Sequence, residues 1–210
     1  MNHWLYSSIP ADNLVDQYAF KPTGSTTAAL AYFTRYVTKM LEHNNYVRCL
    51  MIDFSKAFDT VDRVILLSKL VQLKLPGFVI NWICSFSSGR GQQCKVNGAL
   101  SDNASIGLSI VQGSGIGPTV YLFLKSDLLA ISELNDIFKY ADDSITLLVP
   151  EHTDVDLNIE YNHIKQWAAT NGLIINSNKT KKVIFRQPRV SCFHLPAAID
   201  NTEQVDCCKL

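Results

Sequence analysis

The sequence has no excess charge of either sign, no long apolar run and no CxxC motif. Its 19 basic and 19 acidic residues give a formal net charge of zero, whereas proteins that grip phosphate backbones are usually basic. No segment reaches the roughly 18 uninterrupted apolar residues that a membrane span requires. The first residues, MNHWLYSSIPADNL, lack the basic start and apolar block of a secretory signal. We therefore expect an intracellular protein, nuclear or cytoplasmic, without a membrane partner.

None of the six cysteines has the CxxC spacing of a zinc site, and without a secretory signal no disulfide framework is expected. Cys49 and Cys84 lie within apolar stretches and are predicted to be small core residues. The 210 residues are 47% hydrophobic, enough to bury one or two cores.

Charge is unevenly distributed along the chain. Five basic residues and no acid lie between Lys179 and Arg189, whereas nine acids and a single lysine lie between Asp127 and Glu160. A basic run of this kind is either a nucleic-acid contact or a solvated surface, and both interpretations stay open.

Hydrophobic periodicity predicts helices and strands in mixed order, without strict βαβ repetition, which favours an α+β fold. Ser25 is a candidate N-cap for the first helix and Gly172 a candidate terminator for the last. The predicted helices cover residues 25–44, 64–73, 76–86, 118–131 and 155–171. The predicted strands are 46–54, the two arms of a hairpin over 137–149, and 181–185, with a further hairpin on one sheet edge within 91–110.

Acidic residues occupy two unusual positions in this pattern. Asp53 ends a buried strand, and Asp142 and Asp143 form the tip of an apolar hairpin. Charged residues among buried strands are generally paired or bound to a metal. If the strands are neighbours, the three carboxylates converge, and such oxygen ligands suit Mg²⁺. Two ions about 3.5–4 Å apart would support in-line nucleotidyl transfer. An isolated acid pair in a turn is more simply a solvent-exposed turn.

Five sequence blocks decide between these interpretations. DQYAFKPTGSTTAAL, MIDFSKAFDTVDRVILLSKL, QGSGIGP, FKYADDS and NGLIINSNKTKKVIF occur in this order. In order and spacing they resemble the reverse transcriptases of non-long-terminal-repeat (LINE-type) retrotransposons, over roughly residues 14 to 189. The resemblance implies a right-hand polymerase palm with partial fingers, its antiparallel sheet packed on helices. It also implies RNA-directed DNA synthesis from an RNA template, a DNA primer and dNTPs.

The resemblance implies a metal site for two Mg²⁺ ions, with Mn²⁺ as a possible substitute. Asp53 and Asp142 would hold both ions, Asp143 would assist at the turn, and the main-chain carbonyl of Phe54 would be a further ligand. Lys179, in NSNKTKK, would protonate the departing pyrophosphate; its alternative is a surface lysine beside a strand.

The resemblance also implies a nucleotide site. Phe58 would be the steric gate that blocks a ribonucleotide 2′-hydroxyl; without the motif it is more simply a core aromatic residue. Gln112, Gly113 and Ser114 would lie near the incoming nucleotide and template. Lys21 would contact the triphosphate at a position where the family usually has arginine, without that residue's bidentate fork.

The resemblance divides the chain into partial fingers (1–45), a palm (46–190, with fingers-side residues inserted at about 74–110) and a truncated C-terminal end of the palm (191–210). We expect no thumb and no endonuclease domain, so that the fragment alone is weakly active or inactive. Two alternatives stay open, an inactive retrotransposon remnant or RNA-binding module, and a splicing maturase that shares the palm.

Overall fold

The computed structural model describes residues 5, 7, 14–20, 24–72, 75–107, 109–111, 113–141, 144–188, 199 and 202–205. The helices are α1 (Thr26–Leu41), α2 (Arg63–Gln72), α3 (Gly77–Ser87), α4 (Gly117–Lys125) and α5 (Leu157–Thr170). The longer strands are β1 (Tyr46–Asp53), β6 (Asp136–Tyr140), β7 (Ser144–Pro150) and β8 (Lys181–Arg186). The short ones are β2 (Gly91–Gln92), β3 (Lys95–Val96), β4 (Ala99–Leu100), β5 (Ala104–Ser105) and β9 (Glu203–Val205). Within these residues, no helix is both long enough and apolar enough to cross a membrane.

The main sheet has the strand order β6-β7-β1-β8-β9. The apolar strand β1 lies at its centre and pairs antiparallel with both β7 and β8. The β6–β7 hairpin completes one side, as its sequence predicted, and β9 adds a parallel strand on the other. The expected antiparallel sheet is therefore confirmed for β1, β6, β7 and β8, while the parallel edge strand was not predicted.

The two faces of the sheet pack on different helices, because side chains alternate along each strand. Leu50 and Ile52 of β1 share a buried cluster with residues of α2, α3, α4 and α5. Val47 and Cys49 point to the other face, where α1 covers them through Val37. The expectation of a core position for Cys49 is thus confirmed, whereas Cys84 on α3 is only partly buried.

Helix α1 begins where the sequence predicted and ends before Asn44. The Ser25 hydroxyl accepts a hydrogen bond from the Ala28 amide at 3.0 Å, which satisfies one of the unpaired donors of the first turn. At the other end, the Asn44 side-chain amide donates to the Met40 carbonyl at 2.7 Å. Asn44 therefore caps the helix from outside and does not extend it.

The helix that follows Ile116 is shorter than predicted. It ends at Lys125, although apolar residues continue to Ile131. The amides of Ile131 and Ser132 each donate to the buried Glu160 carboxylate of α5 at 3.0 Å. This carboxylate holds the segment in a loop, so the local apolar pattern does not continue as helix.

Residues 91–105 form nested hairpins, but not on an edge of the main sheet. Strand β2 pairs with β5, and β3 pairs with β4, as two separate two-stranded sheets. Their residues are exposed, so no buried side chains fix them to the main sheet. The division of the chain at residues 45 and 190 remains a prediction.

Candidate active site

The candidate site lies where β1 ends beside the start of β7. Asp53 is the last residue of β1 and pairs directly with Ser144, the first residue of β7. Ser144 in turn pairs with Tyr140 across the β6–β7 hairpin. The three residues between Tyr140 and Ser144 include Asp142 and Asp143, which fall outside the described residues. The register therefore brings Asp53 next to the turn that carries the predicted acid pair.

The main-chain carbonyl of Asp53 is hydrogen-bonded, whereas one oxygen of its carboxylate has no hydrogen-bond partner within the described residues. Its carbonyl accepts a hydrogen bond from the Asn176 amide at 2.8 Å. Its carboxylate is 17% exposed, and its Oδ2 lies 3.6 Å from the Nζ of Lys179. Its Oδ1 is buried and has no hydrogen-bond partner among the described residues. A buried carboxylate oxygen without a partner is costly unless a cation or proton completes it.

The structure places Lys179 beside Asp53. The segment that carries Lys179 is anchored beside β1, because the Ser55 amide donates to the Ile174 carbonyl at 2.8 Å. The Lys179 side chain is 65% exposed. It therefore neutralises Asp53 from the solvent side and is reachable by a ligand that enters there.

A second lysine, Lys125 of α4, contacts the turn of the β6–β7 hairpin. Lys125 is fully buried at the end of α4, and its Nζ donates to the Ala141 carbonyl at 2.6 Å. The same ammonium lies 5.0 Å from the centre of the Tyr121 ring. Ala141 has φ of +52°, in the left-handed region that is costly for a residue with a side chain. Lys125 thus holds the residue directly before Asp142 in a strained turn.

The predicted gate residue Phe58 follows a turn after β1. Its ring packs against Tyr121, with ring centroids 5.0 Å apart, and is partly buried. Its carbonyl accepts from the Ile110 amide at 2.9 Å. The packing leaves part of the ring accessible.

The glycine-containing loop before α4 is built around Ser114. The Ser114 hydroxyl donates to the Val111 carbonyl at 2.7 Å and accepts from the Gly117 amide at 3.0 Å. A side chain at Gly117 would meet Ser114 Oγ at 2.9 Å and the Val111 carbonyl at 3.0 Å, which explains this glycine. Gly113 is exposed and has φ of +75°, a conformation that glycine adopts freely.

Three of the remaining predicted residues have different outcomes. Phe54 is 2% exposed, so its ring belongs to the core and only its carbonyl could act as a ligand. Gln112 and Lys21 lie outside the described residues. No cluster of three His, Cys, Asp or Glu side chains that could hold a metal occurs in the described residues, which do not include Asp142 and Asp143.

Sequence reasoning did not identify Lys125 or Arg63 as site residues. Both donate to main-chain carbonyls. Because every residue has a main-chain carbonyl, the sequence does not indicate which one such a side chain binds. The available signal for Lys125 was a lone lysine within the apolar run TVYLFLK, since a lysine is rarely fully buried without a partner.

Comparison with known proteins gives a consistent assignment. The profile of the family described as reverse transcriptase (RNA-dependent DNA polymerase) matches residues 5–206. The chain is similar to the RNA-directed DNA polymerase from mobile element jockey of Drosophila melanogaster, with 27% identity over 186 residues. It is also similar to the jockey polymerase of Drosophila funebris (28% over 187 residues) and to the probable polymerase of transposon X-element of Drosophila melanogaster (24% over 180 residues). These alignments cover 82–84% of the chain but 20% of each relative.

Solved structures share the fold at low identity. A telomerase from Candida tropicalis, in complex with a fragment of telomeric RNA, gives a TM-score of 0.64 at 12% identity, over 87% of this chain and 32% of that one. The corresponding Candida albicans telomerase gives 0.60 at 13% identity, over 85% of this chain and 34% of that one. At this identity the likeness concerns the fold alone.

Proposed function

The chain belongs to the reverse transcriptase (RNA-dependent DNA polymerase) family, and from that premise we propose that it carries the nucleotidyl-transfer centre of an RNA-directed DNA polymerase. The reaction joins a dNTP to the 3′-hydroxyl of a DNA primer on an RNA template and releases pyrophosphate. The observation that carries the proposal is the position of Asp53. Its strand register places it opposite Ser144, beside the turn that bears Asp142 and Asp143.

Enzymes of this family generally use divalent metal ions, and the residues of this site fit such ions. Asp53 supplies a buried carboxylate oxygen that has no hydrogen-bond partner within the described part of the chain, and hard oxygen donors of this kind suit Mg²⁺ or Mn²⁺. We assign two ions to Asp53 and Asp142, with Asp143 and the carbonyl of Phe54 as supporting ligands. When bound there, such ions would activate the attacking hydroxyl and neutralise the charge that develops on the phosphates.

Lys179 is assigned to the leaving group. Its ammonium, 3.6 Å from Asp53 Oδ2, is exposed enough to contact a bound triphosphate. In that position it donates a proton to the departing pyrophosphate. Without substrate the same ammonium partly offsets the charge of Asp53.

The nucleotide itself is assigned to the space between Phe58 and the glycine-containing loop. Phe58 would exclude a 2′-hydroxyl by contact, while Gln112, Gly113 and Ser114 would border the nucleotide and template. Gly113 supports this assignment because it allows the backbone to approach a ligand closely. Lys21 would contribute positive charge to the triphosphate.

The chain spans about one fifth of the length of the curated relatives that it matches. We propose weak activity for this chain. A second candidate is an RNA-binding module without catalysis. The run of five basic residues without an acid between Lys179 and Arg189 favours it, because basic side chains bind phosphate backbones. The presence of Asp53, Asp142 and Asp143 favours the enzyme.

Primer extension distinguishes the two candidates. The folded chain is supplied with a DNA primer on an RNA template, dNTPs, and either Mg²⁺ or Mn²⁺. We expect extension that Asp53→Asn and Asp142→Ala each abolish, while the control Asp102→Asn, at an exposed acid between β4 and β5, retains it. Absence of extension with both metals would contradict catalysis by this chain, and extension that survives Asp142→Ala would contradict the assigned metal site. RNA binding that survives Asp142→Ala would then support the binding module.

A further inference from the structure

We propose that Arg63 is a positioning residue that fixes the glycine-containing loop against the segment that carries Phe58. The inference deepens the proposed function and rests on it, because these two segments border the assigned nucleotide site. Arg63 is the first residue of α2 and does not itself contact the assigned nucleotide position. It acts through the main chain of the residues that precede the loop.

The guanidinium of Arg63 binds three main-chain carbonyls from two separate segments. Nε and Nη2 donate to the Gly107 carbonyl at 2.8 Å and 2.6 Å. Nη2 also donates to the Ile106 carbonyl, and Nη1 donates to the carbonyl of Ser87. One side chain therefore joins the start of α2, the end of α3 and the segment after β5 that leads to the glycine-containing loop.

The positive charge of Arg63 lies against the partially negative oxygens of main-chain carbonyls. Within the described residues no carboxylate lies at ion-pair distance from it. Ser87 is the last residue of α3, where unpaired carbonyls carry the negative end of the helix dipole, so a cation there is stabilising. A planar fork with five donors can serve three carbonyls at once, whereas a lysine ammonium cannot reproduce this geometry.

The held segment connects directly to the assigned nucleotide site. Two residues beyond Gly107, the Ser109 amide donates to the Val61 carbonyl at 3.0 Å, and the Ile110 amide donates to the Phe58 carbonyl at 2.9 Å. The chain then enters the loop at Val111, whose carbonyl binds Ser114. Arg63 thus fixes one end of a short series of main-chain hydrogen bonds. The last of these bonds, from Ile110 to Phe58, sets the distance between Phe58 and Ser114.

Loss of Arg63 should allow the distance between Phe58 and Ser114 to vary, without unfolding the main sheet. A loosened gate binds the nucleotide less tightly and separates deoxyribose from ribose less well, while the metal-binding carboxylates stay in place. We therefore expect a higher KM for dNTPs and a smaller preference for dNTPs over rNTPs, with little change in kcat. A residue that served only general stability would lower the fraction of active protein and leave KM and the sugar preference unchanged.

Hydrogen exchange tests the positioning role independently of catalysis. The variants are Arg63→Gln and Arg63→Lys, with Lys69→Gln as a matched control. Lys69 lies on the same helix and donates to the Leu124 carbonyl and to Asp127, and among the described residues of the 106–110 segment it has no hydrogen-bond partner. We expect the Ser109 and Ile110 amides to exchange about tenfold faster or more in both Arg63 variants. The β1 amides should exchange at their original rates, and Lys69→Gln should leave Ser109 and Ile110 unchanged.

Two results would overturn the proposal. One is unchanged exchange at Ser109 and Ile110 in Arg63→Gln; the other is an equal effect of Lys69→Gln on these amides. If the unsubstituted chain extends primers, an Arg63→Gln variant with normal KM and normal sugar preference would also overturn it. If the unsubstituted chain extends no primer with either metal, the proposed function fails, and the exchange rates alone decide the role of Arg63.

Discussion

The buried ammonium of Lys125 lies 2.6 Å from the carbonyl oxygen of Ala141, the residue directly before Asp142. Lys125 ends α4, whereas Ala141 lies in the turn between β6 and β7. This contact connects the helix that follows the glycine-containing loop to the turn that carries the predicted metal ligands. This hydrogen bond therefore connects the two halves of the proposed site, which are the glycine-containing loop with its helix and the β6–β7 turn.

Lys125→Met should damage the turn more than the fold. Methionine fills a similar volume but leaves the Ala141 carbonyl without this donor. A hydrogen bond from a charged donor contributes about 1.5–3 kcal/mol, so we expect the free energy of unfolding in urea to fall by up to that amount. Primer extension should fall more steeply than stability, because Ala141 positions Asp142. Full extension by a folded Lys125→Met protein would show that the contact is not needed for the site.

The sequence was sufficient for elements whose pattern is local. Asp53 was predicted at the end of a buried strand and the acid pair at the tip of a hairpin, because apolar runs and their breaks determine such features. The pairing of Asp53 with Ser144 followed only from the strand register. That register depends on packing across both faces of the sheet.

The remaining parts of the site depend on partners distant in the sequence. Glu160 ends the helical pattern near Ile131 from 29 positions away, and Arg63 holds Gly107 from 44 positions away. In both cases one partner is a main-chain group, present at every residue. No local pattern indicates which amide or carbonyl such a side chain will choose.

Glu160→Ala should be among the most destabilising single changes. The buried carboxylate accepts from the amides of Ile131 and Ser132 and from the side-chain amide of Asn135 at 2.9–3.0 Å. Its removal leaves several buried donors unsatisfied, each at a cost of about 1–3 kcal/mol. We expect a large loss in urea denaturation, and a smaller one for Glu160→Gln, which keeps one acceptor oxygen. Equal losses for the two variants would argue that volume, not hydrogen bonding, matters at this position.

Cysteine labelling should follow burial. Burial raises the pKa of the Cys49 thiol to about 12, so its reactive thiolate is scarce at neutral pH, whereas Cys94 is exposed. We expect iodoacetamide, followed by peptide mapping, to modify Cys94 rapidly and Cys49 only after denaturation. Rapid modification of Cys49 in the folded protein would contradict its position between the sheet and α1.

Divalent ions should stabilise the protein through Asp53. A ligand that binds only the folded state raises the unfolding free energy by mass action, about 2.7 kcal/mol at a hundredfold excess over Kd. For a chain of this size each kcal/mol raises Tm by about 2–4 °C. We expect Mg²⁺ or Mn²⁺ to raise Tm in the unsubstituted protein, EDTA to reverse the effect, and Asp53→Asn to abolish it. The control Asp102→Asn should respond as the unsubstituted protein does. A rise in Tm that persists in Asp53→Asn would place the ions elsewhere.

The buried ion pair between Asp16 and Lys139 gives a prediction with a defined pH dependence. Lys139 is fully buried on β6, and its Nζ lies 2.6 Å from Asp16 Oδ2. Burial lowers the pKa of Lys139 and raises that of Asp16, and the attraction between them only partly opposes each shift. Breaking such a pair on one side costs about 3–5 kcal/mol, because the other charge stays buried, whereas replacing both partners by apolar groups is often neutral. We expect Asp16→Leu to destabilise strongly and Asp16→Leu with Lys139→Met to recover most of the loss.

The sign of the pH effect separates charge from packing in the Asp16→Leu variant. Without Asp16, the pKa of Lys139 falls further below its ordinary value of 10.5, and the cost of its buried charge is present at every pH below that lowered pKa. As the pH rises above it, the folded protein releases a proton that the unfolded chain still holds, so stability increases. Urea denaturation should therefore show that the stability gap between Asp16→Leu and the double variant narrows from about pH 7 to about pH 10. A gap that is constant with pH would mean that Lys139 stays protonated in the folded variant over this range, and that Asp16 contributes through shape and main-chain contacts.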